Sequence, residues 1–222
     1  MCGRYSQSKA PERVRERFGI VGPIPPEFAA RYNIAPSQDA PVIVLLEDVR
    51  LELFRWGLIP SWAKDPSIGN RLINARAETL AEKPSFRKPF KRTRCLVAAD
   101  GFYEWKVNPD GKTKTPMRVR LKADEPFAMA GLWDHWTGPD GKEVKSFTIV
   151  TTAASESIAQ IHDRMPVILK REDEAGWLDP ETKPEALAGM LKPYPPDAIE
   201  SYAITKIVNS PGNDSRDCFR PA

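Results

Sequence analysis

A chain of 222 residues, 41% hydrophobic and 28% charged, has an ordinary globular balance and suits one domain or two small ones. Its net charge of +3 is too small by itself to mark a nucleic-acid binder. No run of about 18 apolar residues or apolar signal core is present, and cysteines only at 2, 95 and 218 fit a reduced, cytoplasmic protein without disulfides or membrane spans.

In chain order, Pro11 at a first helical position with Val14 and Phe18 four apart predicts a helix. Aliphatic, aromatic and β-branched runs predict strands at Val42–Leu46, Leu51–Trp56 and Arg94–Ala99, then at Met117–Lys122, Phe127–Trp133, Phe147–Thr151 and Ser201–Ile207. Asp110-Gly111 and Asp140-Gly141 read as hairpin turns, the second between two of those strands. Ser155 is placed to N-cap a short helix holding Ile158 and Ile161, and Arg171–Leu178 and Pro184–Leu191 complete the helices. The 22 prolines are spread throughout, with no repeat and no low-complexity linker. Strands and helices do not alternate regularly, so a doubly wound sheet is not expected. The expectation is an α+β fold: one compact domain over residues 1–222, with an antiparallel, barrel-like β core and short peripheral helices.

Several residues could carry chemistry. Removal of Met1 leaves Cys2 with a free α-amine and a thiol two carbons apart. The amine pKa of about 7.7–8.0, against about 10.4 for Lys, makes its unprotonated fraction at pH 7 roughly 300-fold larger. Such an amine forms an imine with an aldehyde, and the thiol can close on that imine to a thiazolidine. Glu104 lies between Tyr103 and Trp105, and burial among aromatics raises a carboxyl pKa into the range useful for proton transfer. Period-two alternation puts Phe102 and Glu104 on one face of an extended segment, with Tyr103 and Trp105 on the other. His162 ends the short helix after Ser155, just before a Pro-directed turn; His135, between Trp133 and Trp136, is the weaker of the two histidines. Asn74 and Arg76 share a face if their segment is extended.

Between Lys83 and Arg94 six basic residues and no acid surround Phe86 and Phe90. Cations for phosphates and flat faces for bases suit single-stranded nucleic acid, although a basic surface loop with two core-facing phenylalanines gives the same pattern. No C-x-x-C, H-x-x-x-H, Walker A, G-x-G-x-x-G or G-x-S-x-G motif occurs, so neither a metal nor a cofactor is expected.

Several of these segments, taken in order, resemble the SOS response-associated peptidase family. They are Cys2-Gly3-Arg4-Tyr5, Arg31-Tyr32-Asn33-Ile34-Ala35-Pro36, Trp56-Gly57-Leu58-Ile59-Pro60-Ser61-Trp62, Leu72-Ile73-Asn74-Ala75-Arg76-Ala77-Glu78-Thr79, Gly101-Phe102-Tyr103-Glu104-Trp105-Lys106 and His162-Asp163-Arg164-Met165-Pro166. The resemblance implies a β-rich domain with a positively charged channel, and Cys2, Asn74, Glu104 and His162 as the catalytic set. It further implies sensing of abasic sites in single-stranded DNA, with capture of the ring-opened sugar as a thiazolidine crosslink that shields the lesion. AP lyase cleavage would be a side reaction, and the peptidase of the family name would refer to removal of Met1. Arg4, Arg76 and Arg164 are implied on phosphates with Thr151 as a smaller donor, and Trp62 and Phe90 against bases. A monomer acting in the cytoplasm is expected. Two alternatives stay open at this point, an N-terminal-nucleophile amidohydrolase and a non-covalent single-strand-binding module. A Cys-His peptidase using Cys2 and His162 would leave the terminal position of the nucleophile unexplained.

Overall fold

The computed structural model describes residues 2–222. Its strands are β1 (Tyr5–Gln7), β2 (Arg31–Ile34), β3 (Asp39–Leu45), β4 (Val49–Trp56), β5 (Asn74–Arg76), β6 (Arg94–Ala99), β7 (Gly101–Val107), β8 (Lys114–Leu121), β9 (Phe127–Thr137), β10 (Glu143–Ala153), β11 (Arg164–Pro166) and β12 (Ile199–Ala203). Five short helices surround them: α1 (Pro11–Phe18), α2 (Pro84–Arg92), α3 (Glu156–Ala159), α4 (Arg171–Leu178) and α5 (Pro184–Met190). None of the described helices is long and apolar enough to cross a membrane.

Pairing in the order β10-β4-β3-β6-β9, with β9 returning to β10, closes a five-stranded barrel that is antiparallel except at β10–β4. Alternation along these strands divides the apolar side chains into two sets. Val42, Val44, Phe54, Trp56, Val97, Met129, Phe147 and Ile149 fill the interior and continue into Cys2, Tyr5 and Phe102. Ile43, Leu51, Leu96, Ala130 and Val150 face outward, where Val14, Phe18, Phe86, Phe90, Trp177 and Leu187 of the helices cover them. A second sheet, β12-β8-β7-β1-β2, is joined to the barrel interior through Tyr5 and Phe102. The expected α+β barrel-like fold is therefore the observed one.

One interior position has no room for a side chain. A Cβ at Gly131, opposite Cys95 in the β6–β9 ladder, would sit 2.7 Å from Cys95 Sγ and 2.9 Å from Val97 Cγ2. Gly131→Ala is expected to cost about 1–3 kcal/mol through overpacking, read as a lower urea midpoint at unchanged slope.

The seven strands expected from sequence all form, most of them longer than their apolar cores. At the C-terminal end the prediction overran. β12 stops at Ala203, and Lys206–Asn209 turns as a 3-10 helix. Ser155 occupies the N-cap position of α3, but its hydroxyl pairs with Ser157 Oγ rather than with a helix N–H.

The basic stretch 83–94 differs most from expectation, because nine of its residues form α2. Proline fits the first turn at Pro84, where no N–H bond is needed. Phe86 and Phe90 pack into the core, and Arg94 is buried with its guanidinium bonded to the carbonyls of Phe90 (2.7 Å) and Trp177 (2.6 Å) and to that of Asp179. A cation placed there satisfies the carbonyl ends of both α2 and α4. Lys83, Arg87, Lys88, Lys91 and Arg92 remain exposed.

Candidate active site

β1 carries Cys2 into the structure. It is hydrogen-bonded on both edges, to β2 and β7, with Tyr5 opposite Phe102. Tyr103 N–H donates to Arg4 O at 2.9 Å, so the pairing continues past the end of β1 and draws Cys2 toward Glu104. Cys2 has no exposed surface. Burial pushes its thiol pKa well up, and the neighbouring Glu104 carboxylate adds to that shift. Cys2 Sγ lies 4.0 Å from Arg4 O.

The second half of β10 runs past the barrel and carries the next two contributors. β5 pairs with it in parallel along one edge, Asn74 opposite Ile149 and Arg76 opposite Thr151; β11 lies on the other edge with Arg164 opposite Ala153. Trp56 Nε1 donates to Ile73 O at 2.9 Å and fixes the approach to β5. Ala75 is buried, and Asn74 and Arg76 share the opposite face, as the extended reading requires. Asn74 Nδ2 donates to Cys2 O at 2.8 Å. Its Oδ1 is buried and has no hydrogen-bond partner among the described residues.

Glu104 enters from β7. Phe102 belongs to the barrel interior with Cys2, whereas Tyr103 and Trp105 pack on the far side of the sheet with Ile204 and Val208. The period-two reading of 102–105 therefore holds. Glu104 is only 3% exposed, and burial raises its carboxyl pKa, an effect that nearby His162 partly offsets. His162 follows α3, with Nδ1 3.0 Å from the Arg164 amide nitrogen and 2.7 Å from Asp163 Oδ1. Cys2, Asn74, Glu104 and His162, spread over 160 positions of sequence, thus converge through three hydrogen-bonded or electrostatic links.

The residues expected on nucleic acid divide. Arg76 is exposed, and Trp62 is 57% exposed on the loop after β4. That loop depends on Gly57 at φ +123°, where an added Cβ would lie 2.6 Å from Gly69 O. Lys88 Nζ lies 3.4 Å from Ser61 Oγ, which brings the exposed cations of α2 beside Trp62.

Three of the residues expected on nucleic acid are less open than these. Phe90 is 8% exposed, with its ring centroid 6.1 Å from that of Trp177, so it packs into the core. Thr151 is fully buried under Arg164, whose Nη2 bonds Thr151 O at 2.7 Å. Arg4 is half-buried and donates to Asn33 Oδ1 and Val208 O, both at 2.9 Å, so this guanidinium braces the chain instead of projecting from it. Arg164 itself forms a bidentate pair with Glu78 at 2.6 and 2.9 Å. Glu78 is the residue that sequence reasoning left without a role; the only signal was an acid two positions after Arg76.

The chain is similar to known proteins over nearly its whole length. A family model described as "SOS response associated peptidase (SRAP)" matches residues 1–211. The abasic site processing protein YoqW of Bacillus subtilis is 48% identical over 220 residues, covering 97% of each chain. The abasic site processing protein HMCES of Gallus gallus is 32% identical, covering 98% of this chain and 71% of that one. A crystal structure of a Bacteroides thetaiotaomicron protein superposes with a TM-score of 0.90 at 31% identity, each chain fully covered.

Proposed function

The chain belongs to the SOS response-associated peptidase family, and from that premise we propose that it processes abasic sites in single-stranded DNA by covalent capture at Cys2. The whole chain, residues 1–222, is assigned to one such domain acting as a monomer. The observation that carries the reading is the environment of Cys2, with its carbonyl oxygen held by Asn74 and its thiol coupled to a buried Glu104.

The first step is hydrolysis of the Met1–Cys2 bond, which frees the α-amine. The unpartnered Asn74 Oδ1 is an acceptor suited to an N–H of that amine. The amine then adds to C1′ of the ring-opened sugar. Glu104, whose carboxyl pKa is raised by burial, gives a proton to the departing hydroxyl, so water leaves and the protonated imine forms. The resulting Glu104 carboxylate takes the Sγ–H proton as sulfur adds to the iminium carbon, which regenerates the acid and leaves the ring nitrogen neutral with its one hydrogen. Amine, thiol and aldehyde become thiazolidine plus one water. Burial raises both the Glu104 and the thiol pKa, and one proton passed between them serves both halves of the exchange. Holding the three groups together contributes on the order of 7–11 kcal/mol. His162 acts as a second acid/base. β-Elimination from the imine, giving strand cleavage, competes when sulfur is slow to trap it.

Arg76, Trp62 and the exposed face of α2 form the path for the strand, with Arg164 reaching phosphate once Glu78 gives way. Arg76→Glu is expected to weaken single-strand binding about tenfold, with little dependence on sequence and a shallower salt dependence, in fluorescence anisotropy. The reading as a whole is tested with a uracil-excised single-stranded oligonucleotide on a denaturing gel, followed by intact mass. The expected species is protein lacking Met1 plus DNA minus one water; a crosslinked species that retains Met1 contradicts the scheme.

A further inference from the structure

On the face of the second sheet away from Glu104 lies a cavity of about 530 Å³, within the size range of small-ligand pockets. Its position follows from register. Arg118 is opposite Tyr103 in the β7–β8 ladder and opposite Tyr202 in β8–β12, so its side chain projects with Tyr103, opposite to Phe102 and Glu104.

The lining is strongly cationic. Five cations (Lys9, Arg118, Arg120, Arg216, Arg220) face two carboxylates, Asp100 and Asp124. Asp124 is shared by Lys9 at 3.2 Å and Arg120 at 3.1 Å. Asp100 accepts from Ser6 Oγ at 2.5 Å and from Ser8 N at 2.8 Å, and pairs with Ser8 Oγ. Its contact with Arg118, at 3.4 Å, is the longest of the set. Arg118 is 3% exposed, its guanidinium lies 3.7 Å from the Phe219 ring centroid, and its Nε is buried with no hydrogen-bond partner among the described residues. Its other hydrogen bonds are long, Nη1 to Tyr202 Oη and Nη2 to Asp100 O, both at 3.3 Å, and with its one carboxylate already spent on two serines the charge is under-compensated, so a bound anion would reduce that cost. Arg216 and Arg220, exposed at either end of the Arg216–Phe219 turn, are placed to hold such an anion at the mouth.

We propose that this cavity binds a nucleotide-sized phosphate monoester, with Arg216 and Arg220 holding the phosphate above the field of the buried Arg118. Glu200 pairs with Arg120 at 2.6 Å, so five cations meet three carboxylates, and the remaining positive excess favours a doubly charged terminal phosphate over a singly charged diester. Tyr32 and Tyr202, both half-buried at the wall, supply flat surface and hydroxyls for the organic part. The site is separate from the Cys2 cluster and independent of the chemistry there.

The test is isothermal titration of the full chain with 2′-deoxyadenosine 5′-monophosphate, with inorganic phosphate and deoxyadenosine as the other arms. The nucleotide is expected to bind, with inorganic phosphate weaker and deoxyadenosine silent. The Arg216→Ala/Arg220→Ala double variant, both positions exposed, should lose about tenfold or more in nucleotide affinity while crosslinking abasic DNA as before. An Arg Nε–H resonance that moves with nucleotide in the parent and not in the variant would agree. The proposal is overturned if the nucleotide does not bind, if deoxyadenosine binds equally well, if the double variant retains full affinity, or if Arg76→Glu abolishes the binding.

Discussion

Cys2→Ala protein is expected to form no heat-stable adduct with abasic single-stranded DNA, a loss on the order of 10³-fold in durable product. The variant keeps an α-amine after Met1 is removed, so it should still form an imine that borohydride traps, and strand cleavage should persist or increase. What disappears is ring closure. A thiol fixed beside the imine acts at an effective concentration of about 10⁵ M or more, which no free thiol in the buffer can match. The burial of Cys2 sharpens the contrast, because its thiol stays protonated and depends on a partner to remove the proton. A heat-stable crosslink from Cys2→Ala would rule out the thiazolidine.

Glu104→Gln should produce opposite effects on rate and on stability. Crosslinking is expected to slow by about 10²–10⁴-fold, the usual worth of a positioned acid/base, while single-strand affinity stays near that of the parent. Stability should rise at neutral pH. In the unfolded chain Glu104 gives up its proton near the ordinary carboxyl value of about 4.3, whereas the folded protein holds the proton to higher pH because the side chain is buried. Between those two values the folded state binds more protons, so stability falls as pH rises, and above the folded value the penalty is complete. Glutamine carries no such penalty. The variant's melting temperature should therefore exceed the parent's at pH 7, with the gap closing as pH drops through the ordinary carboxyl range. Equal melting temperatures at both extremes would mean that Glu104 is not buried in solution as it is here.

What the sequence disclosed follows from how each signal is encoded. The barrel strands were readable because each is a run of six or more residues with period-two or continuous apolar character, and the faces of 102–105 followed from alternation alone. β1, β2, β5 and β11 have only three or four residues, too few for a period to appear, and they exist because longer strands offer them an edge. α2 was hidden by its own composition. Its cations mark the solvent face, its two phenylalanines the core face, and Pro89 within it is a residue type that disfavours helix interiors. The same ambiguity surrounds Phe90, since apolar residues in a charged run read alike as a base platform and as an amphipathic helix. The pairing of Glu78 with Arg164 spans 86 positions and has no local signature. Motif resemblance gathered Cys2, Asn74, Glu104 and His162 into one list. The structure adds the burial that raises the pKa of two of them.

β7 serves both faces of its sheet at once, with Glu104 toward Cys2 and Tyr103 toward Arg118. Side chains on a strand exchange faces when the frame moves by one. Adding or deleting one codon between Gly101 and Glu104 would thus put an aromatic ring where the acid belongs and deliver a carboxylate to the arginine-rich side. The exposed tip at 108–113 has no such dependence, so a deep insertion–deletion scan should find tolerance there and a sharp boundary a few residues upstream.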